Sequence, residues 1–74
     1  MTKNIDAIYT EIVKRMAKER RLQGVTQEEL ARASGIDRTH MGSIEQGRRK
    51  PTLATIYKIS KILKMPLEQL FKGM

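Results

Sequence analysis

Ile5, Ile8, Tyr9, Ile12, Val13 and Met16 follow one another at intervals of three and four or their neighbours, the spacing of a single apolar stripe on an α-helix. This pattern predicts a first helix from about Asn4 to Leu22. Gly24 comes next, and glycine is the residue that most readily takes the left-handed conformation that ends a helix. Thr26 with Glu29 three residues on makes a capping box for a second helix. That helix carries Leu30, Ala31 and Ala33, ends at Ser34-Gly35, and is too short to persist alone. Asp37 caps a third helix running to about Gln46, with Met41 and Ile44 on its inner face and Gly47 as its stop. After Arg48-Arg49-Lys50-Pro51, Thr52 caps a fourth helix expected to turn Leu53, Ile56, Tyr57, Ile59 and Leu63 inward. Pro66 opens a last short helix, Leu67 to about Phe71. No segment alternates with period two, and no Asn-Gly or Asp-Gly turn occurs. The predicted class is all-α, with five helices.

Length bounds this picture further. Seventy-four residues make one small domain, taken as residues 1–74, which buries only roughly 60% of its unfolded surface. There is no cysteine, one histidine and no tryptophan. No disulfide, thiolate metal site or Cys/His nucleophile pair is available. No cofactor, metal or small-molecule ligand is therefore expected. Fifteen Lys and Arg against eight Asp and Glu give a net charge of +7, which favours a polyanionic partner. The excess is uneven: residues 25–47 hold Arg32 and Arg38 against Glu28, Glu29, Asp37 and Glu45, a local balance of −2. Beyond Lys3 the amino-terminal region is interrupted by polar residues every few positions. No apolar run reaches the length of a signal peptide or a membrane span. A cytoplasmic location is the expectation.

Two short helices joined by a glycine-containing turn suggest a helix-turn-helix, here over about residues 26–46. Ala31 on the inner face leaves room for the third helix. Gly35 sits at the sharp turn, and Leu30, Ile36, Met41 and Ile44 are the apolar anchors that set the angle. The blocks Gly24-Val25-Thr26-Gln27-Glu28-Glu29-Leu30-Ala31, Ser34-Gly35-Ile36-Asp37-Arg38-Thr39 and Ile44-Glu45-Gln46-Gly47-Arg48-Arg49-Lys50-Pro51-Thr52-Leu53 closely resemble the Xre-type regulators related to lambda Cro and phage repressor domains. The resemblance covers nearly the whole chain and implies a lambda-repressor-like, DNA-binding fold. Asp37-Arg38-Thr39-His40 is similar to the recognition helix of controller proteins of restriction–modification systems, which usually carry Tyr where His40 stands. A prophage-type repressor or an antitoxin of the same fold is the alternative.

At about 100° per residue, Met41 and Ile44 point one way, and Arg38, Thr39, Gly42, Ser43 and Gln46 cluster opposite. Arg can bridge guanine O6 and N7, and Thr and Ser offer hydroxyls to base edges in the major groove. Arg38, Thr39, Ser43 and Gly42 are the expected base-reading set, and the resemblance points to the same slots for the first three. Gly42 is placed on the outer face, where packing would not explain it, and a close approach to a base or sugar would. Phosphate contacts are expected from the amino terminus of the second helix, with Thr26 and Gln27, and from His40, Gln46, Arg48, Arg49, Lys50 and Thr52. The resemblance implies that Glu45 pairs with Arg20.

A single reading helix discriminates poorly among genomic sites, and doubling it on a two-fold axis doubles that discrimination. A homodimer on a palindromic double-stranded operator is expected, joined through residues 62–74 with Ile62, Met65 and Phe71 at the interface. RNA polymerase is a further candidate partner. An enzyme is disfavoured: Glu28 and Glu29 point about 100° apart, and neither a P-loop nor zinc spacing occurs. A membrane-surface role for the basic first helix would sacrifice the stripe the core needs. An antitoxin would be expected to carry a toxin-embracing segment after Met74, where the chain stops.

Overall fold

The computed structural model describes residues 4–74, so Lys3 lies outside the described residues. Five helices occur in order: α1 (Ile5–Leu22), α2 (Gln27–Ser34), α3 (Arg38–Glu45), α4 (Leu53–Ile62) and α5 (Leu67–Phe71), with no strand among the described residues. Four of the five starts are closed by a local side chain, those of α2, α3 and α4 as expected. Asn4 Oδ1 accepts from Ala7 N at 2.8 Å. Thr26 and Glu29 complete the reciprocal capping box. Asp37 accepts from the N–H groups of Thr39 and His40, and Thr52 from that of Thr55.

Four of the five helices end in one motif. Val25, Ile36, Arg48 and Met65 each donate their N–H to a carbonyl five residues back, on Arg20, Ala31, Ser43 and Ser60 at 2.8–3.0 Å. The residue before each of them is left-handed: Gly24, Gly35, Gly47 and Lys64. This is the Schellman stop. Val25, Ile36 and Met65 also pack into or against the core, whereas Arg48 is exposed. Lys64, at φ 55°, carries a Cβ in a conformation that normally favours glycine.

The core gathers Ile12, Val13 and Met16 of α1, Leu30 and Ala31 of α2, Met41 and Ile44 of α3, and Ile56 and Ile59 of α4, with Leu63, Met65 and Leu70. Ala31 is 2% exposed, so the small side chain allows the close approach of α2 to its neighbours. Buried Ser34 and Ser60 each donate to a carbonyl of their own helix. No buried side-chain polar atom among the described residues lacks a partner. The five-residue α5 is held by Arg15, whose Nη1 donates to the carbonyls of Gln69, Leu70 and Lys72 at 3.3, 3.0 and 2.8 Å.

Three expected inward positions differ. Ile5 is exposed, so the packed stripe of α1 starts at Ile8. Leu53 and Tyr57 are 65% and 48% exposed. Ile56, Ile59 and Leu63 define the inner face of α4, and Tyr57 is turned about 125° from it. Its ring lies instead against Lys61, whose Nζ is 5.5 Å from the centroid. Leu53, the first residue of α4, is turned about 90° from the same face. Lys64→Gly should raise stability by about 1 kcal/mol by relieving the left-handed Cβ. A denaturation midpoint that does not rise would show that Lys64 makes compensating contacts.

Candidate nucleic-acid interface

α3 is braced from behind by one carboxylate. Arg20 at the end of α1 donates Nε to Glu45 Oε2 at 2.7 Å and Nη2 to Oε1 at 3.0 Å. The two side chains are only 11% and 10% exposed. Arg20 Nη1 also donates to the Val25 carbonyl at 2.8 Å, tying the α1 stop to the same charge. The expected Arg20–Glu45 pair is thus present and bidentate. A third arm completes the node: Gln27 Nε2, from the first turn of α2, donates to Glu45 Oε1 at 2.7 Å. Glu45 therefore joins α1, α2 and α3. Nothing in the sequence signals the Gln27 arm, because it depends on how closely the start of α2 approaches the end of α3.

The outward strip of α3 is as expected at Arg38, Thr39 and Gln46, all exposed, and at Ser43, half-buried. His40 is half-buried on the side. Gly42 differs. It is buried, and a Cβ there would lie 3.0 Å from Arg38 Nη1 and 3.8 Å from Gln27 Oε1. About 100° of turn per residue puts Gly42 within the strip, between Arg38 and Gln46, and its burial comes from side chains lying over it. The arginine terminus lies over it, and that flexible end is the group an added Cβ would meet first. Glycine at such a helix-interior position otherwise costs about 1 kcal/mol relative to alanine.

The flanks carry the cations. Arg48 N and Arg49 N both donate to the Ser43 carbonyl, at 2.9 and 3.3 Å. Both side chains are exposed beside the end of α3. Lys50 is turned the other way. It pairs with Asp6 and stands 5.7 Å from the centroid of Tyr9, an exposed contact of the loop with α1. Asp6 and Lys50 are 44 positions apart, so no local pattern could announce the pair. At the start of α2 the Gln27 side-chain nitrogen donates one N–H to Glu45, and its main-chain N–H, in the first turn, is a further donor. The Thr26 hydroxyl accepts from Glu29 N at 3.0 Å, while Thr26 N donates to Glu29 Oε1 at 2.8 Å. The main-chain N–H of Thr26 first, then the nearness of its hydroxyl, with Arg32 close by, hold the Glu29 carboxyl below its ordinary value. Thr52 is exposed at the start of α4.

Of the three expected interface residues, Phe71 is 38% exposed and Ile62 is partly buried against the core. Met65 is 6% exposed and belongs to the core. Its N–H closes the α4 stop, which draws the side chain inward, so the expected interface role at Met65 is corrected. Among the described residues no group of His, Asp and Glu could hold a metal ion, and no helix is long and apolar enough to cross a membrane.

A capped α2, a left-handed Gly35 turn and an α3 whose polar strip faces outward define a helix-turn-helix domain. The profile of the helix-turn-helix family matches residues 16–70, and the chain belongs to that family. An HTH-type transcriptional regulator of Sinorhizobium fredii is 43% identical over 47 residues, covering 64% of this chain and 61% of that protein. The control protein C.SmaI of Serratia marcescens is 37% identical over 51 residues, 69% of this chain and 61% of that one. The chain thus spans less than two thirds of these two relatives. The crystal structure of the restriction-modification controller protein C.AhdI from Aeromonas hydrophila is similar at a TM-score of 0.79 and 34% identity. It covers 88% of this chain and 98% of that one. The five-helix, all-α fold expected from the sequence is the fold found.

Glu45→Ala should cost about 3 kcal/mol, since it strands Arg20 and Gln27 in a nearly dry site. The measurement is the urea midpoint at unchanged slope. A loss below about 1 kcal/mol would mean that water replaces the carboxylate without difficulty.

Proposed function

We propose that this protein is a dimeric, sequence-specific DNA-binding transcription regulator, of the kind that controls a restriction–modification operon. One observation carries the proposal. A short helix presents Arg38, Thr39, Ser43 and Gln46 outward, on a shaft fixed by Arg20, Glu45 and Gln27, with Arg48 and Arg49 tied to its end. Arginine and hydroxyl groups on an exposed helix are the donors that a major groove recognises. Cations and free helix N–H groups beside them suit phosphates on either side. The family is one of DNA-binding regulators, not of enzymes. Similarity to one control protein and one restriction-modification controller supports the narrower assignment.

On this reading Arg38, Thr39 and Ser43 contact base edges. Arg48, Arg49, the Thr26 hydroxyl, the main-chain N–H of Gln27, Gln46, His40 and the start of α4 at Thr52 contact phosphates. Lys50 is engaged within the fold and contributes mainly to the general field. The local charge of −2 over residues 25–47 keeps non-specific attraction to the reading unit weak and leaves steering to the basic flanks. Two copies related by a two-fold axis would place their helices about one duplex turn apart on a palindromic operator. Phe71 and Ile62 are the surface offered for pairing. Contact with RNA polymerase from such a site would set the sign of regulation, in the cytoplasm where the operator lies.

Selection of bound duplexes from a random pool tests the whole proposal: a palindrome with fixed spacing is expected, and recovery of unrelated sequences would overturn it. Arg38→Ala should cost about 1–3 kcal/mol and relax preference at one base pair per half-site. Arg49→Ala should weaken all duplexes alike and lower the salt slope by about one. If the two variants behave the same way in salt titrations of a panel of altered operators, base and phosphate roles are misassigned. Phe71→Asp should shift sedimentation toward monomer and make operator binding steeper in protein concentration; an intact dimer would move the interface elsewhere.

A further inference from the structure

Four of the five glycines have positive φ and open space where a Cβ would stand; the backbone explains them. Gly42 is the exception. It lies within α3, and the place of its side chain is filled by the Nη1 end of Arg38, 3.0 Å from the Cβ position, with Gln27 Oε1 at 3.8 Å. Gln27 is not free to swing away. Its Nε2 is held by Glu45 at 2.7 Å, and Glu45 is held by Arg20 at 2.7 and 3.0 Å. The amide oxygen is thereby aimed at the space over Gly42, with the α3 backbone on one side of that space and α2 on the other.

We propose that Gly42 is a positioning residue for base recognition: the missing Cβ forms a seat in which the guanidinium of Arg38 is held before DNA arrives. The inference rests on the DNA-reading role proposed above. Arg38 is the first residue of α3 and is exposed, a place where a long side chain would otherwise sample many rotamers. Seating its tip over Gly42 removes part of that freedom in advance, and ordering lost before binding is not lost again on binding. The network from Arg20 through Glu45 to Gln27 thus has a second effect besides holding three helices together. It fixes the wall of the seat. A methyl group at position 42 would meet only the far end of a flexible side chain, so the fold can accept it while the Arg38 terminus must shift off its seat.

The test compares wild type, Gly42→Ala, Arg38→Ala and the double variant. The probe is a duplex recovered by wild type from a random pool, together with copies altered one base pair at a time. Gly42→Ala should keep or raise the Tm, because alanine favours helix over glycine. It should lower discrimination at the base pair read by Arg38 about three- to tenfold, the scale of one reordered side chain. In the Arg38→Ala background, adding Gly42→Ala should lower discrimination no further. An equal loss in that background would mean that Gly42 meets the DNA itself. A lower Tm with every duplex weakened alike would mean a purely structural role, and unchanged base preference in Gly42→Ala would mean no role. Each of these overturns the proposal while leaving Arg38 as a reader. Wild-type protein that binds recovered and scrambled duplexes equally would overturn the DNA-reading role and this inference together.

Discussion

Everything on the outward side of the domain depends on one nearly buried carboxylate. Glu45 closes α3, and on it converge a guanidinium from α1 and an amide from α2. Hydrogen bonds between ionised groups are short and strong, and a bidentate arginine fixes direction as well as distance. Apolar contacts among Leu30, Met41, Ile44 and Ile56 supply the larger share of the driving force, but they are non-directional. They turn Met41 and Ile44 of α3 inward and so set its rotation coarsely. The Arg20–Glu45–Gln27 node then pins the end of α3 against α1 and α2.

The remaining polar contacts divide the same labour. Arg15 gathers three carbonyls at the end of the chain and holds α5 to α1. Lys50 with Asp6 and Tyr9 makes an exposed contact between the basic loop and the start of α1. Gln23 Nε2 donates to the Leu63 carbonyl at 2.6 Å and joins the end of α1 to the end of α4. α1 is therefore the frame to which α3, α4 and α5 are each fastened by a polar clasp. A domain this small, with no cysteine for a disulfide, has little area to bury, and such clasps favour one arrangement among the few its core would accept.

The five helices were legible because their limits are local. A capping side chain lies two or three residues from the N–H it satisfies, and a left-handed glycine stands next to the turn it makes. The stop at Lys64 is the instructive miss, since the motif forms there without its usual residue. The outward set Arg38, Thr39, Ser43 and Gln46 was legible from helix geometry, and Arg20–Glu45 from the resemblance. Gly42, Met65, Tyr57 and Lys50 were not. A residue at the margin of a stripe is assigned to core or surface by its neighbours in space. The tips of long side chains settle wherever a partner waits, at 44 positions' separation for Asp6 and Lys50.

The four matching helix stops differ in the residue immediately after the left-handed one. Three tuck an apolar side chain inside, whereas the one after α3 points Arg48 into solvent and bonds both Arg48 N and Arg49 N to the carbonyl of Ser43. The offset between the outward strip of α3 and the cations that follow it is thus set in part by main-chain geometry. On the proposed function the domain then works as a calliper of fixed jaw. The width between groove floor and sugar–phosphate wall enters what it accepts, alongside the identity of the bases, and a poorly fitting duplex would have to deform to be gripped.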